Sequence, residues 1–195
     1  MDDIVRQAMA KWPNVPHCYG WLGLDARGAW RMRDERAQQL GLSGDKLAHE
    51  ALIGFINRNY ARDERGCWYF QNGPQRVYLN LEATPFVART DPAAGLVLQT
   101  GEALTAVDEA FMTSAGTVIV RSGDKAAQVD DRDMASVTEW MLHDGVAVSD
   151  ETLMAWMEAP DGKLALRYGG QVVPVQPITD AEIETRLGFN RTPAP

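Results

Sequence analysis

The stretch "GCWYFQNGPQRVYLNLEATPF", residues 66–86, carries the side chains best suited to chemistry: Trp68, Asn72, Arg76, Tyr78 and Glu82. The period of two across its arms sets Val77, Leu79 and Leu81 on one face and Arg76, Tyr78, Asn80 and Glu82 on the other. A guanidinium can hold a carboxylate through two parallel hydrogen bonds. Two assignments of Arg76 follow. It pairs with an acid of its own fold, Glu82 or Glu50, and pins a hairpin to a helix. Or it faces a cleft beside Trp68 or Tyr78 and receives a small anionic ligand or a protein partner's carboxylate. The first is the usual fate of a hairpin arginine.

Other chemistry is thinly represented. The chain has no G-x-G-x-x-G, P-loop, G-x-S-x-G or H-E-x-x-H motif. "DDRDMASVTEWM" fails as a calcium loop, because counted from Asp131 its sixth position is Ser136 rather than glycine and its twelfth is Leu142 rather than a bidentate glutamate. His17, Cys18, His49 and Cys67 could be brought together around zinc, yet no pair has a metal-binding spacing, so no metal is expected. No cofactor motif is present either. Cys67 with His49 could form a nucleophile pair, although a cysteine in a strand beside Trp68 usually reads as a small buried thiol. His49 could equally pair with Asp45 across a helix surface. Glu82 with His49 is the acid–base pair that a hydrolase or transferase would use. Arginines interleaved with aromatics (Trp30, Arg31, Arg33; Tyr69, Arg76, Tyr78) could stack single-stranded nucleic acid. An isoelectric point near 4.9 favours cation–π pairing within the sheet instead.

Those side chains must be positioned by 195 residues, 45% apolar and 24% charged, the proportions of an ordinary globular protein. No apolar run approaches a bilayer span, and "MDDIVRQAMAKWP" has neither the basic start nor the apolar core of a signal peptide. Two cysteines suit a reducing compartment, so a cytoplasmic location is expected. Arginine outnumbers lysine 15 to 4, a usage that points to a GC-rich bacterial genome. Charge is uneven. Residues 1–91 hold 12 Lys and Arg against 11 Asp and Glu, and residues 92–195 hold 7 against 16. The acidic second half would repel nucleic acid and anionic membranes, so neither is an expected partner.

Hydrophobic periodicity predicts a helix over residues 2–12 with Ile4, Val5, Ala8, Met9 and Trp12 as its stripe. A hairpin follows over residues 18–33. A second helix is predicted over 44–61, capped by Ser43 or Asp45. The hairpin of residues 67–82 turns at "NGPQ", where Asn72-Gly73 would supply positive φ angles. It should share one antiparallel sheet with the first hairpin, and the helix should cover the face bearing Leu79 and Leu81. Residues 92–195 repeat the pattern: "GLVLQTG", "GTVIVRSGDKAAQV" and "GKLALRYGGQVVPV" alternate around glycine turns. Short helices begin at Asp131 or Asp133 (with Met134, Val137 and Met141), at Ser149, and at the capping box Thr179–Glu182. Hairpins grouped with helices, without βαβ alternation, give the class α+β, antiparallel hairpins with packed helices. The boundary is expected near residue 90, giving domains 1–90 and 91–188 and a flexible tail, 189–195.

"KWPNVPHCYGWLGLDARGAWRMRDE", "DKLAHEALIGFINRNYARDERGCWYFQNGPQRVYLNLEATPFVAR" and "RLGFNRTP" resemble an uncharacterised proteobacterial family of about this length, a domain of unknown function. The order Gly-x-Trp, helix, turn, Leu-Glu, Pro-Phe-Val-Ala is more distantly similar to a second family of unknown function. That likeness implies an α–β roll followed by a second, β-rich roll. The chain departs from this second family at "QNGPQR". Neither resemblance brings an activity. The expected function is therefore a non-enzymatic binding or regulatory protein for a small ligand or protein partner, with the hydrolase or transferase as the alternative.

Overall fold

A computed structural model describes residues 1–195. The chain divides into two compact units, Met1–Pro85 with Gly188–Pro195, and Phe86–Leu187. The division falls at Pro85 where the sequence pointed to residue 90. The last residues do not form a tail: Phe189 is buried, Asn190 bridges Cys67, and the Leu81 amide donates to Arg191 O at 2.9 Å.

In the first unit, α1 (Asp3–Lys11) precedes the hairpin β1 (Cys18–Leu24) and β2 (Trp30–Met32). Then come α2 (Glu35–Gln39), β3 (Asp45–Lys46), α3 (Glu50–Arg58), β4 (Tyr60–Arg62), β5 (Trp68–Asn72) and β6 (Gln75–Leu81). The six strands lie in the order β3-β2-β1-β6-β5-β4. Both predicted hairpins form, but they meet through β1 and β6, which run parallel, with Leu22 beside Leu79 and Leu24 beside Leu81. The sheet is thus mixed and not purely antiparallel, because the long excursion through two helices brings the chain back in its original direction. The face bearing Leu22, Leu24, Leu79 and Leu81 also carries Trp68 and Phe70. As expected, α3 packs there, through the edge-on contact of Phe55 with Phe70 and the hydrogen bond from Trp30 Nε1 to Asn57.

The second helix is shorter than its sequence span. Asp45 and Lys46 pair with β2, His49 caps α3 by accepting the Leu52 amide on Nδ1, and Tyr60–Arg62 forms an edge strand. Neither Ser43 nor Asp45 is the cap, since the backbone there is already committed to the sheet. In α1 only Val5 is fully buried, whereas Ile4 and Trp12 of the expected stripe are exposed. The turn of the β5–β6 hairpin is Gly73-Pro74, because Asn72 pairs with Gln75. Gly73 alone has positive φ (+56°), as a type II′ turn requires at its first central position, and proline supplies the negative φ of the second.

The second unit contains β7 (Phe86–Asp91), β8 (Gly95–Leu98), β9 (Glu109–Met112), β10 (Val118–Ser122) and β11 (Lys125–Val129). These are followed by α4 (Met134–Thr138), β12 (Met141–His143), β13 (Val146–Ala147), α5 (Asp150–Glu158), β14 (Leu164–Tyr168), β15 (Gln171–Pro177) and α6 (Asp180–Leu187). All nine strands form one sheet, β13-β12-β14-β15-β9-β10-β11-β7-β8, again mixed, with β7–β11 and β9–β15 parallel. Met141, expected on a helix, lies in a strand. The sheet curls on itself: the Tyr168 hydroxyl of β14 accepts the Leu96 amide of β8 (2.8 Å) and donates to Leu104 O (2.6 Å). The fold is α+β with mixed sheets.

Candidate functional site

β5 and β6 present opposite chemistry on their two faces. Away from the helix-covered core, β5 shows Tyr69 and Gln71, and β6 shows Arg76, Tyr78 and Asn80. Tyr69 and Tyr78 are direct cross-strand partners, their ring centroids 5.5 Å apart. β1 contributes a third ring. Between its pairings Cys18–Val77 and Leu22–Leu79 it spends four residues against two on β6, a bulge that re-aims the intervening side chains. Tyr19 is thereby stacked flat on Tyr78, with centroids 4.7 Å apart and planes at 4°. His17 meets Tyr78 edge-on at 5.7 Å.

Two guanidiniums lie over these rings, Arg76 4.7 Å from the Tyr69 centroid and Arg65 5.5 Å from that of Tyr78. Asp63, at the turn before β5, organises this end. It accepts the Tyr78 hydroxyl (3.0 Å), Arg65 Nε (3.1 Å), and the amides of Arg65 (3.0 Å) and Cys67 (2.9 Å). Burial alone would push the Asp63 carboxyl up, but those hydrogen bonds outweigh it and hold the group below the usual range. Arg65 is held well above its ordinary value, first by the Tyr19 hydroxyl and then by Asp63 and Tyr78. Burial pushes the Cys67 thiol up, which keeps it protonated and inert as a nucleophile.

Arg76 differs from Arg65. It is half-buried, its charge is met by rings and by the nearby Tyr78 hydroxyl, and it forms no ion pair. The Tyr78 hydroxyl is the largest influence on the guanidinium and raises its pKa, with burial opposing. Opposite Arg76 in register, buried Gln71 donates from its amide nitrogen to Gly73 O (2.9 Å), while its Oε1 has no partner.

Of the five residues singled out by sequence, Arg76 and Tyr78 come together. Asn72 is exposed at the hairpin tip. Trp68 points to the opposite face and packs in the core against Tyr60 (4.8 Å), because it is an odd number of residues from Tyr69. Glu82 lies past the end of β6, where it accepts the Ala26 amide (3.1 Å) and the Ser43 hydroxyl. The pairing of Arg76 with Glu82 or Glu50 is not formed. His49 and Glu82 serve different partners, so no acid–base pair exists between them, and no group of three metal-ligating side chains is assembled. Tyr19, Asp63, Arg65 and Gln71 escaped the sequence reading. "DERG" read as a helix stop, and no periodic pattern reports a bulge.

The chain is thus an α+β protein of two units, the first carrying a tyrosine–arginine face on a mixed sheet. It belongs to the family DUF2944, described as "Protein of unknown function (DUF2946)", whose model matches residues 1–194. Among solved structures it is similar to the crystal structure of a DUF1285 family protein from Silicibacter pomeroyi DSS-3. The TM-score is 0.52 at 15% identity, covering 94% of this chain and 99% of that one, a likeness of fold. No curated protein matches the chain. No helix is long and apolar enough to cross a membrane.

Proposed function

We propose that the chain is a non-enzymatic, cytoplasmic bacterial binding protein built from an α–β roll and a β-rich roll. Its first unit receives an anionic group, from a small ligand or a partner's carboxylate, on the half-buried Arg76, which the buried rings of Tyr69 and Tyr78, with Tyr19 packed against them, hold in place. One observation carries the reading: Arg76 is a half-buried guanidinium stacked on a ring and paired with no acid. A cation so placed gains a bidentate partner at little ordering cost, since its stem is already held. The first unit is also the cationic one, with 12 Lys and Arg against 10 Asp and Glu, whereas the second has 7 against 17.

The test is a thermal-shift and calorimetric panel of aromatic carboxylates, aliphatic carboxylates and mononucleotides against the protein and Arg76→Met. A ligand at about 100 times its Kd should add roughly 2.7 kcal/mol of stability to the protein and none to the variant. The variant alone should melt like the parent. If every compound acts equally on both proteins, or if Arg76→Met alone unfolds the hairpin, Arg76 is structural. Turnover of any stabilising compound would replace the binding protein by an enzyme.

A further inference from the structure

Glu82 and its surroundings form a second site of different character. A cavity of about 330 Å³ opens between the β1–β2 hairpin, the loop at residues 41–43 and the end of β6. That volume is at the lower end of the range for small-molecule sites, about 300–1,000 Å³. Its floor is Gly23, where a Cβ would come within 3.3 Å of Asn80 O and 3.5 Å of Arg33 Cδ, so a larger residue would crowd the space. Arg31, Arg33, Ser43, Asn80 and Glu82 line it.

The charges around this cavity are unequal in their compensation. Arg31 is neutralised by Asp25, whose Oδ2 takes Nε at 2.8 Å and Nη2 at 2.7 Å. Arg33 is fixed by neutral acceptors, Leu42 O at 3.0 Å and Gly20 O at 3.3 Å, and no carboxylate meets its charge. Glu82 is fixed by neutral donors, the Ala26 amide and the Ser43 hydroxyl, and no cation meets its charge. The Asn80 side chain makes no hydrogen bond. One cavity is therefore lined by an unpaired guanidinium, an unpaired carboxylate and a free amide, with both charges held in place by neutral hydrogen-bond partners. A simple anion would meet Glu82, and a metal cation would meet Arg33. A small molecule bearing both charges satisfies both.

We infer that this cavity binds a free α-amino acid as its zwitterion. The carboxylate lies on Arg33 Nη2, the ammonium on Glu82, and Asn80 takes a remaining polar group. This site does not depend on Arg76.

The experiment is isothermal titration of the full chain with the standard α-amino acids, and with propionate and propylamine as single-charge controls. At least one amino acid should bind, with each control at least about tenfold weaker, a difference of about 1.4 kcal/mol. Glu82→Gln, which keeps the contacts to Ala26 and Ser43, and Arg33→Met should each abolish that binding, while Arg76→Met should leave it unchanged. Asn80→Ala, which removes no existing hydrogen bond, should weaken it without shifting the melting temperature. The inference is overturned if no amino acid binds, if propionate binds as tightly as the amino acids, or if Glu82→Gln and Asn80→Ala both bind normally. Loss in Arg76→Met would transfer the binding to the tyrosine face.

Discussion

At the scale of single residues, Tyr78 is the hinge of the tyrosine face. Its ring is stacked by Tyr19, its hydroxyl donates to Asp63, and it is 2% exposed. Tyr78→Phe keeps the stack and removes one donor from a carboxylate that retains three. The expected loss is about 1–2 kcal/mol in denaturant unfolding at neutral pH. The pH dependence has a definite sign. Asp63 titrates below its unfolded value, so its contribution is present above the ordinary carboxylate range, near pH 4, and is lost as pH falls through the depressed folded value. Tyr78→Phe relaxes that depression, and the gap between variant and parent should close in acid. A gap that stays constant from pH 7 to pH 3 would mean the hydroxyl does not act through Asp63. Arg76 and Tyr78 were legible in the sequence because strict alternation fixes which side chains share a strand face. Asp63 and Arg65 were not, since they come from a turn whose partner across the fold has no local signature.

At the scale of elements, legibility followed the strength of local rules. The β5–β6 and β14–β15 hairpins and the Ser149 cap form as their residues dictate, and of the Thr179–Glu182 capping box the Glu182 half forms, its carboxylate accepting both the Thr179 amide and the Thr179 hydroxyl. The five-residue α2, capped by Asp34, is too short to display a period, and α3 lost its first turn to strand pairing with β2. In the second case a tertiary contact decided the outcome over propensity. The face of β6 toward α3 was readable, and Leu79 is completely buried there. Leu79→Ala should cost about 2–5 kcal/mol by chemical denaturation, since the cavity would sit between β1, β6 and α3 and could collapse only in part. A loss under about 1 kcal/mol would contradict that packing.

At the scale of the whole molecule, the division at Pro85 and the return at Gly188 were the least legible features. No run of composition marks a segment that leaves a sheet and comes back to it. The return has energetic content. Removing residues 188–195 takes away the buried ring of Phe189, the acceptor of the Leu81 amide and the Arg191 donor to Ala83 O. Burying that ring is worth about 1.5–3 kcal/mol, and an orphaned buried amide costs about 1–3 kcal/mol. In hydrogen exchange, the truncated chain should lose protection at Leu81 and keep it at Ala110 and Val120. Equal loss at all three would mean that the last residues support the entire chain. The same return imposes an order on synthesis. Residues 86–187 are complete, and free to close around their own core, while the partner residues of Gly66, Cys67 and Leu81 are still unmade. Of the two units, the one that is opened first is closed second. On the ribosome its tyrosine–arginine face waits, with its sheet unsealed, for the codons of residues 188–191.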